Sequence, residues 1–162
     1  MLRLPSLSKT LRNLAWGLVR QLVRWRFTHV RSISTDALAD WLEQPNPPTL
    51  LDVREVEEFA VSHLPNAYHT PTVEAVHHLP IEGDMPIVAY CSVGYRSAQF
   101  VQQLQMAGFS QVMNLEGSIF QWANEGRSLF QDGQPVQTVH PYASLWRGLL
   151  HPSVRILDWD HG

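Results

Sequence analysis

The chain has 162 residues, enough for one domain with extensions that buries a hydrophobic core. Hydrophobic residues make up 44% of it and charged residues 17%, which excludes an intrinsically disordered chain. The net charge of −3 is unevenly distributed, because residues 1–31 carry seven basic side chains and no acidic one. A single cysteine excludes an internal disulfide, so a reduced thiol and a cytoplasmic location are predicted.

The basic N-terminal segment, residues 1–29, has the periodicity of an amphipathic helix. Its apolar stripe consists of Leu11, Leu14, Ala15, Leu18, Val19, Leu22 and Val23. Arginines interrupt the segment too often for a transmembrane helix, and no secretory signal sequence is apparent. Three interpretations stay open. The helix packs on its own domain or on a second copy, it lies on an anionic membrane surface through residues 8–27, or it is an organelle-targeting segment.

The central segment, residues 30–135, alternates between helical and strand patterns. Helices are predicted at residues 34–44, 55–63, 72–79, 96–109 and 118–126. Strands are predicted at residues 49–54, 85–91 and 111–117, with a further short strand within 64–71. This alternation is typical of a mainly parallel sheet with helices on both faces, which binds its ligands at the carboxyl ends of the strands.

The C-terminal segment, residues 136–162, has no comparable pattern. Its large apolar residues are Trp146, Leu149, Leu150, Ile156 and Trp159. Because so many apolar side chains are unfavourable in water, the segment is predicted to wrap around the domain.

Cys91 ends the strongest predicted strand and opens a loop that leads into a helix. Gly94 allows a positive φ in this loop, and Arg96 and Ser97 begin the helix. Backbone amides that converge before a helix N-terminus bind anions, so the loop is predicted to stabilise a thiolate and make Cys91 nucleophilic. Arg96 could add a charge-assisted grip on an oxyanion. The alternative is a buried structural cysteine.

Three stretches together resemble the rhodanese-like sulfurtransferases. "LLDVREVEEFAVSHLPNAYHTP" is similar to the family's DVR-x-x-x-E-(F/Y) region, and "VAYCSVGYRSA" is similar to its C-x-x-G-x-R-S loop. "VMNLEGSIFQWANEG" is similar to the strand and helix that follow. Several motifs that agree over residues 30–130 are more specific than any one of them. The resemblance implies an α/β, three-layer domain with a mainly parallel five-stranded sheet, to which the N-terminal helix and the C-terminal tail are added.

The resemblance also implies a reaction. Cys91 would attack a small sulfur-donor anion such as thiosulfate, sulfite would leave, and a thiol or protein-cysteine acceptor would take the outer sulfur from the Cys91 persulfide. The loop residues that would hold substrate and persulfide are Ser92, Val93, Gly94, Tyr95, Arg96 and Ser97. Asp52 and Arg54, at a neighbouring strand end, are predicted to shape the pocket or to form a structural ion pair.

Two other functions stay open at this point: a non-catalytic interaction module on the same fold, and an arsenate reductase or phosphatase-like enzyme. Four residues separate Cys91 from Arg96, whereas related cysteine phosphatases have five, so the loop length favours sulfur over phosphate. The family often has a glycine at Ser118, and a serine there is predicted to alter the turn without touching the nucleophile. No metal, no cofactor besides the covalent persulfide, and no nucleic-acid partner is predicted.

Overall fold

The computed structural model describes residues 8–81 and 84–156. Its α-helices are α1 (Lys9–Arg26), α2 (Thr35–Leu42), α3 (Val56–Val61), α4 (Val73–Val76), α5 (Tyr95–Met106) and α6 (Ser118–Asn124). Its strands are β1 (Ser32–Ile33), β2 (Thr49–Asp52), β3 (Tyr68–His69), β4 (Ile87–Tyr90), β5 (Val112–Leu115), β6 (Leu129–Gln131) and β7 (Gln134–Val136). Two short 3₁₀-helices, Trp146–Leu149 and Pro152–Val154, follow in the C-terminal segment.

A five-stranded sheet forms the centre of the domain, with the strand order β1-β5-β4-β2-β3. All four pairings are parallel, which confirms the predicted sheet. The edge strand β1 has two residues, too few to give a hydrophobic pattern, so the sequence did not locate it. The central strand β4 is buried along its whole length, and Cys91 follows its carboxyl end directly.

Helices cover both faces of the sheet and give the three predicted layers. Side chains alternate along β4, because successive residues of a strand point to opposite faces. Val88 and Tyr90 join one hydrophobic cluster, to which α2, α6 and α1 contribute. Ile87 and Ala89 join the other cluster, to which α4 and α5 contribute.

The segment after α6 forms a hairpin that the sequence did not predict. Strands β6 and β7 pair antiparallel, and Phe130 forms an isolated bridge with His63 at the end of α3. Beyond the hairpin the tail packs on the domain as predicted, since Leu149 and Leu150 are buried in the same cluster as Trp16. Trp159 lies outside the described residues.

Helix α1 packs on the domain along one side. Trp16 and Val23 are buried, and the Trp16 indole N–H donates to the Leu149 carbonyl at 3.2 Å. Arg24 binds the Glu116 carboxylate through two nitrogens, at 2.8 and 3.1 Å. The leucines of the predicted stripe lie on the opposite, exposed side of the helix. Within the described residues, no helix is long and apolar enough to cross a membrane.

Candidate active site

The loop between β4 and α5, residues 91–94, places Cys91 at the carboxyl edge of the sheet. Gly94 has a φ of +104°, a conformation that L side chains rarely adopt, so the turn favours glycine. Gly94 is also the N-cap of α5 and has no side chain to accept from the first amides of the helix. These amides can therefore donate to an anion at the cysteine.

The Cys91 sulfur accepts hydrogen bonds from two residues of its own loop and helix. The Gly94 amide donates to Sγ at 3.2 Å, and the Ser97 hydroxyl lies 3.4 Å from Sγ. The Ser97 hydroxyl also donates to Asn114 Oδ1 at 2.6 Å, so its single proton is divided between that oxygen and the sulfur. Cys91 is 1% exposed, which places the thiol at the bottom of the loop rather than on the surface.

Ser118 supports the cysteine from the neighbouring β5–α6 turn. Its hydroxyl accepts a hydrogen bond from the Cys91 backbone N–H at 3.1 Å and donates one to the Leu115 carbonyl at 3.0 Å. It also lies 3.5 Å from the Ser97 hydroxyl, which reaches the sulfur. The prediction that Ser118 does not touch the nucleophile was therefore wrong, because its side chain holds the backbone of Cys91.

Two replacements of Ser118 distinguish the stability that its hydrogen bond to the Cys91 amide contributes from the cost of its backbone strain. Ser118 has a φ of +50°, a conformation that glycine adopts more easily than serine or alanine. Ser118→Ala leaves the buried Cys91 N–H without its acceptor, and we expect a destabilisation of about 1–3 kcal/mol. Ser118→Gly relieves the backbone strain and should cost less. Denaturant unfolding of both variants checks this order. Equal unfolding midpoints for Ser118→Ala and wild type would contradict it.

Arg96 is held by an acidic side chain from helix α3. Its two terminal nitrogens bind the Glu58 carboxylate at 2.9 and 2.8 Å. Ser92 completes the cluster, since its hydroxyl accepts from Arg96 at 2.9 Å and donates to Glu58 at 2.8 Å. The cluster ties the start of the loop to the start of α5 and so fixes the shape of the loop. The grip of Arg96 on an incoming oxyanion stays a prediction.

The charges of this cluster stabilise each other. Burial alone would raise the pKa of Glu58, but the hydrogen bonds and charge of Arg96 outweigh it and hold that pKa below its ordinary value. Burial alone would lower the pKa of Arg96, but Glu58 and the Cys91 sulfur outweigh it, so that pKa is raised above its ordinary value. Both side chains are therefore charged at neutral pH.

This ion pair predicts a pH dependence of stability. Because the pKa of Glu58 is depressed in the folded state, its contribution is complete above the ordinary value of 4.5 and is lost as the pH falls through the folded value. We expect the difference in unfolding free energy between wild type and Glu58→Gln to shrink on acidification below about 4.5. Urea unfolding at a series of pH values measures it, and a constant difference would argue against the ion pair.

The C-terminal tail adds an aromatic ring to the site. The Arg96 guanidinium lies over the Tyr142 ring, 4.1 Å from its centroid, in a cation–π contact. Tyr142 has a φ of +62°, and its amide donates to His140 Nδ1. On the other side of the loop, Tyr95 meets the Phe27 ring edge-on at 5.1 Å. Segments outside the motif region therefore contact both Tyr95 and Arg96.

Asp52 and Arg54 form a buried ion pair with each other. Arg54 donates to the two carboxylate oxygens at 2.8 and 2.6 Å and to the Ser62 carbonyl at 2.6 Å. Both side chains are fully buried, and burial, which alone would lower the pKa of Arg54, is outweighed by Asp52, so that pKa is raised. These bonds tie β2 to the end of α3. Of the two roles that the sequence allowed, the structure shows the structural ion pair. Any effect on the pocket is indirect.

The sequence missed the residues that support the loop from other elements. Glu58 carried a signal, since it is part of the DVR-x-x-x-E-(F/Y) resemblance, but the sequence did not identify Arg96 as its partner. Ser118 carried one as a departure from the family pattern. Asn114 and Tyr142 carried none, because a polar residue in a strand and an aromatic residue in a tail have many structural roles.

Comparison with known proteins identifies relatives of this domain. The family model described as "Rhodanese-like domain" matches residues 34–125. The chain is 32% identical over 102 residues to a sulfurtransferase of Allochromatium vinosum, an alignment that covers 60% of this chain and 92% of that protein. It is 30% identical over 95 residues to the thiosulfate sulfurtransferase GlpE of Vibrio cholerae, covering 58% of this chain and 89% of that one.

Other relatives are larger proteins. The chain is 33% identical over 99 residues to "Probable adenylyltransferase/sulfurtransferase MoeZ" of Mycobacterium tuberculosis, covering 58% of this chain but 25% of that protein.

Among solved structures, a rhodanese-like domain protein from Staphylococcus aureus has a TM-score of 0.56 at 32% identity, covering 64% of this chain and 99% of that chain. The residues that the family model matches include the loop, its Cys91 and the β5–α6 turn, so these belong to the shared domain.

Proposed function

Because this chain belongs to the rhodanese-like domain family, we propose that it is a sulfurtransferase that carries a sulfane sulfur as a persulfide on Cys91. Relatives that the aligned part of this chain covers almost completely are named sulfurtransferases, which supports this class of reaction. The observation that carries the proposal is the environment of Cys91 Sγ, which faces the Gly94 amide and the Ser97 hydroxyl at the uncapped N-terminus of α5.

Thiosulfate is the donor that we propose, as a small anion with a transferable sulfur. The Cys91 thiolate attacks the outer sulfur, the S–S bond of thiosulfate breaks, and its electron pair leaves with sulfite. The new Cys91–S–S⁻ group keeps one negative charge, which the amides at the start of α5 would stabilise. An acceptor such as cyanide, a thiol or a protein cysteine then takes the outer sulfur and restores the thiolate. No other cofactor is needed for this cycle.

Mass spectrometry of the intact protein tests the proposal. After exposure to thiosulfate and desalting, we expect an added mass of about 32 Da, one sulfur atom, that peptide mapping assigns to Cys91. Addition of cyanide should remove this mass and release thiocyanate. Because Cys91 is the only cysteine, no other thiol in the chain can carry the adduct.

The burial of Cys91 favours a second candidate, a non-catalytic interaction module. Because Cys91 is 1% exposed, a sulfur donor must pass the residues of the loop to reach the thiol. If thiosulfate leaves the mass of the protein unchanged, the module is the better account. Phosphatase turnover that depends on Cys91, without a sulfur adduct, would favour the phosphatase-like alternative instead.

A further inference from the structure

Helix α1 has a second apolar face that does not pack on the domain. This face, the α1 stripe, consists of Leu11, Leu14, Leu18, Leu22 and Trp25. Leu18 and Trp25 are each 73% exposed, although the opposite side of the helix buries Trp16 and Val23. The spacing of three and four residues aligns the stripe along the helix. Five aligned large apolar side chains in water form the kind of patch that marks an interaction surface.

The charges around the α1 stripe limit what can cover it. Helix α1 contains five basic residues and no acidic one. Arg24 is neutralised by Glu116, and Arg12 reaches the Leu150 carbonyl. Lys9, Arg20 and Arg26 form no ion pair within the described residues. Because two copies of α1 would bring like charges together, a negatively charged surface is the better electrostatic match.

We propose that the α1 stripe docks on the surface of an anionic lipid bilayer, with the helix axis parallel to the membrane plane. The leucines enter the boundary between headgroups and acyl chains, and Arg26, which lies beside the stripe on the helix, contacts an anionic headgroup. Lys9 and Arg20 lie on the other side of α1 and attract the anionic surface only through the positive field of the helix. Trp25 has the amphipathic ring that favours this interface. The proposal does not depend on the sulfur-transfer reaction.

Because α1 is held to the domain, docking of the α1 stripe also fixes the orientation of the whole domain relative to the membrane. The Trp16 indole holds the middle of the helix to Leu149, and the double hydrogen bond of Arg24 to Glu116 holds its end. Phe27, directly after α1, contacts Tyr95, the first residue of α5 after the active-site loop. A bilayer bound to the stripe therefore sets the position of the Cys91 loop relative to the membrane.

Co-sedimentation of the full chain with vesicles tests the docking. We expect binding to vesicles of equimolar phosphatidylcholine and phosphatidylglycerol and much weaker binding to pure phosphatidylcholine. Added salt should weaken the binding, since it screens the positive charge of α1. Arg26→Gln should lower the partition coefficient about fivefold, the effect of one basic residue close to the surface.

A pair of matched variants tests the apolar contribution. Leu14→Glu combined with Leu18→Glu places charge in the stripe and should lower vesicle binding at least about tenfold. Met106→Glu is the control, because Met106 is an exposed apolar side chain on α5, outside the stripe, and should bind like wild type. Both variants change exposed positions, so circular dichroism should show an intact fold.

Three results would overturn the proposal. The first is the absence of wild-type binding to the anionic vesicles. The second is unchanged binding by the Leu14→Glu, Leu18→Glu variant. The third is a dimer in analytical ultracentrifugation that this variant dissociates while vesicles capture no protein, which would assign the stripe to a second copy of the chain.

Discussion

Cys91→Ser should abolish sulfur transfer while it preserves the fold. Serine has nearly the same shape, and its oxygen can accept the Gly94 amide hydrogen bond that the sulfur accepts. An alcohol cannot become a persulfide, so the covalent route is closed. We expect turnover with thiosulfate and cyanide to fall on the order of 10⁴-fold or more, as the loss of a covalent nucleophile does in other enzymes. Thiocyanate formation at saturating donor measures it.

A stability control makes the Cys91→Ser result decisive. The unfolding midpoint of the variant should stay close to that of wild type, so that lost activity cannot be assigned to lost structure. The single cysteine also gives an orthogonal assay, since alkylation of wild type by iodoacetamide can report on Cys91 alone. Substantial thiocyanate formation by Cys91→Ser would show that the reaction does not proceed through this residue.

The sheet was predictable where the chain is buried on both faces. Strands β2, β4 and β5 are four residues long, mostly apolar and almost wholly buried, and their order relative to the helices indicated a parallel sheet. The two-residue edge strand β1 and the β6–β7 hairpin were missed, because short or half-exposed strands carry little hydrophobic pattern. Periodicity found helix α1 but could not tell which of its two apolar faces packs.

The site was predictable as far as its residues are neighbours in sequence. Cys91, Gly94 and Arg96 belong to one turn, and the need for a positive φ and a helix start follows from that turn alone. Glu58 and Ser118 reach the loop from separations of 38 and 27 residues. Their roles depend on how α3 and the β5–α6 turn pack against the loop, which no local pattern encodes.

Glu58→Ala should cause the largest loss of stability among the residues around the loop. It removes both hydrogen bonds to Arg96, the acceptor of the Ser92 hydroxyl and the bond to the Glu55 amide at the start of α3. The Arg96 side chain, which is 27% exposed, then keeps a partly buried charge without its partner. We expect a destabilisation of about 3 kcal/mol, the low end for a broken buried pair, and a large loss of activity. Urea unfolding measures the former.

Two further variants identify the cause of that loss. Glu57→Ala removes an exposed carboxylate from the same turn of α3 and should change stability by less than about 0.5 kcal/mol. Arg96→Ala combined with Glu58→Ala should cost less than the sum of the single changes, with a coupling energy of about 1–3 kcal/mol, because neither charge is left alone. Additive effects would mean that Glu58 acts through the capping of α3. In that case the shape of the Cys91 loop would not depend on the bond between Glu58 and Arg96.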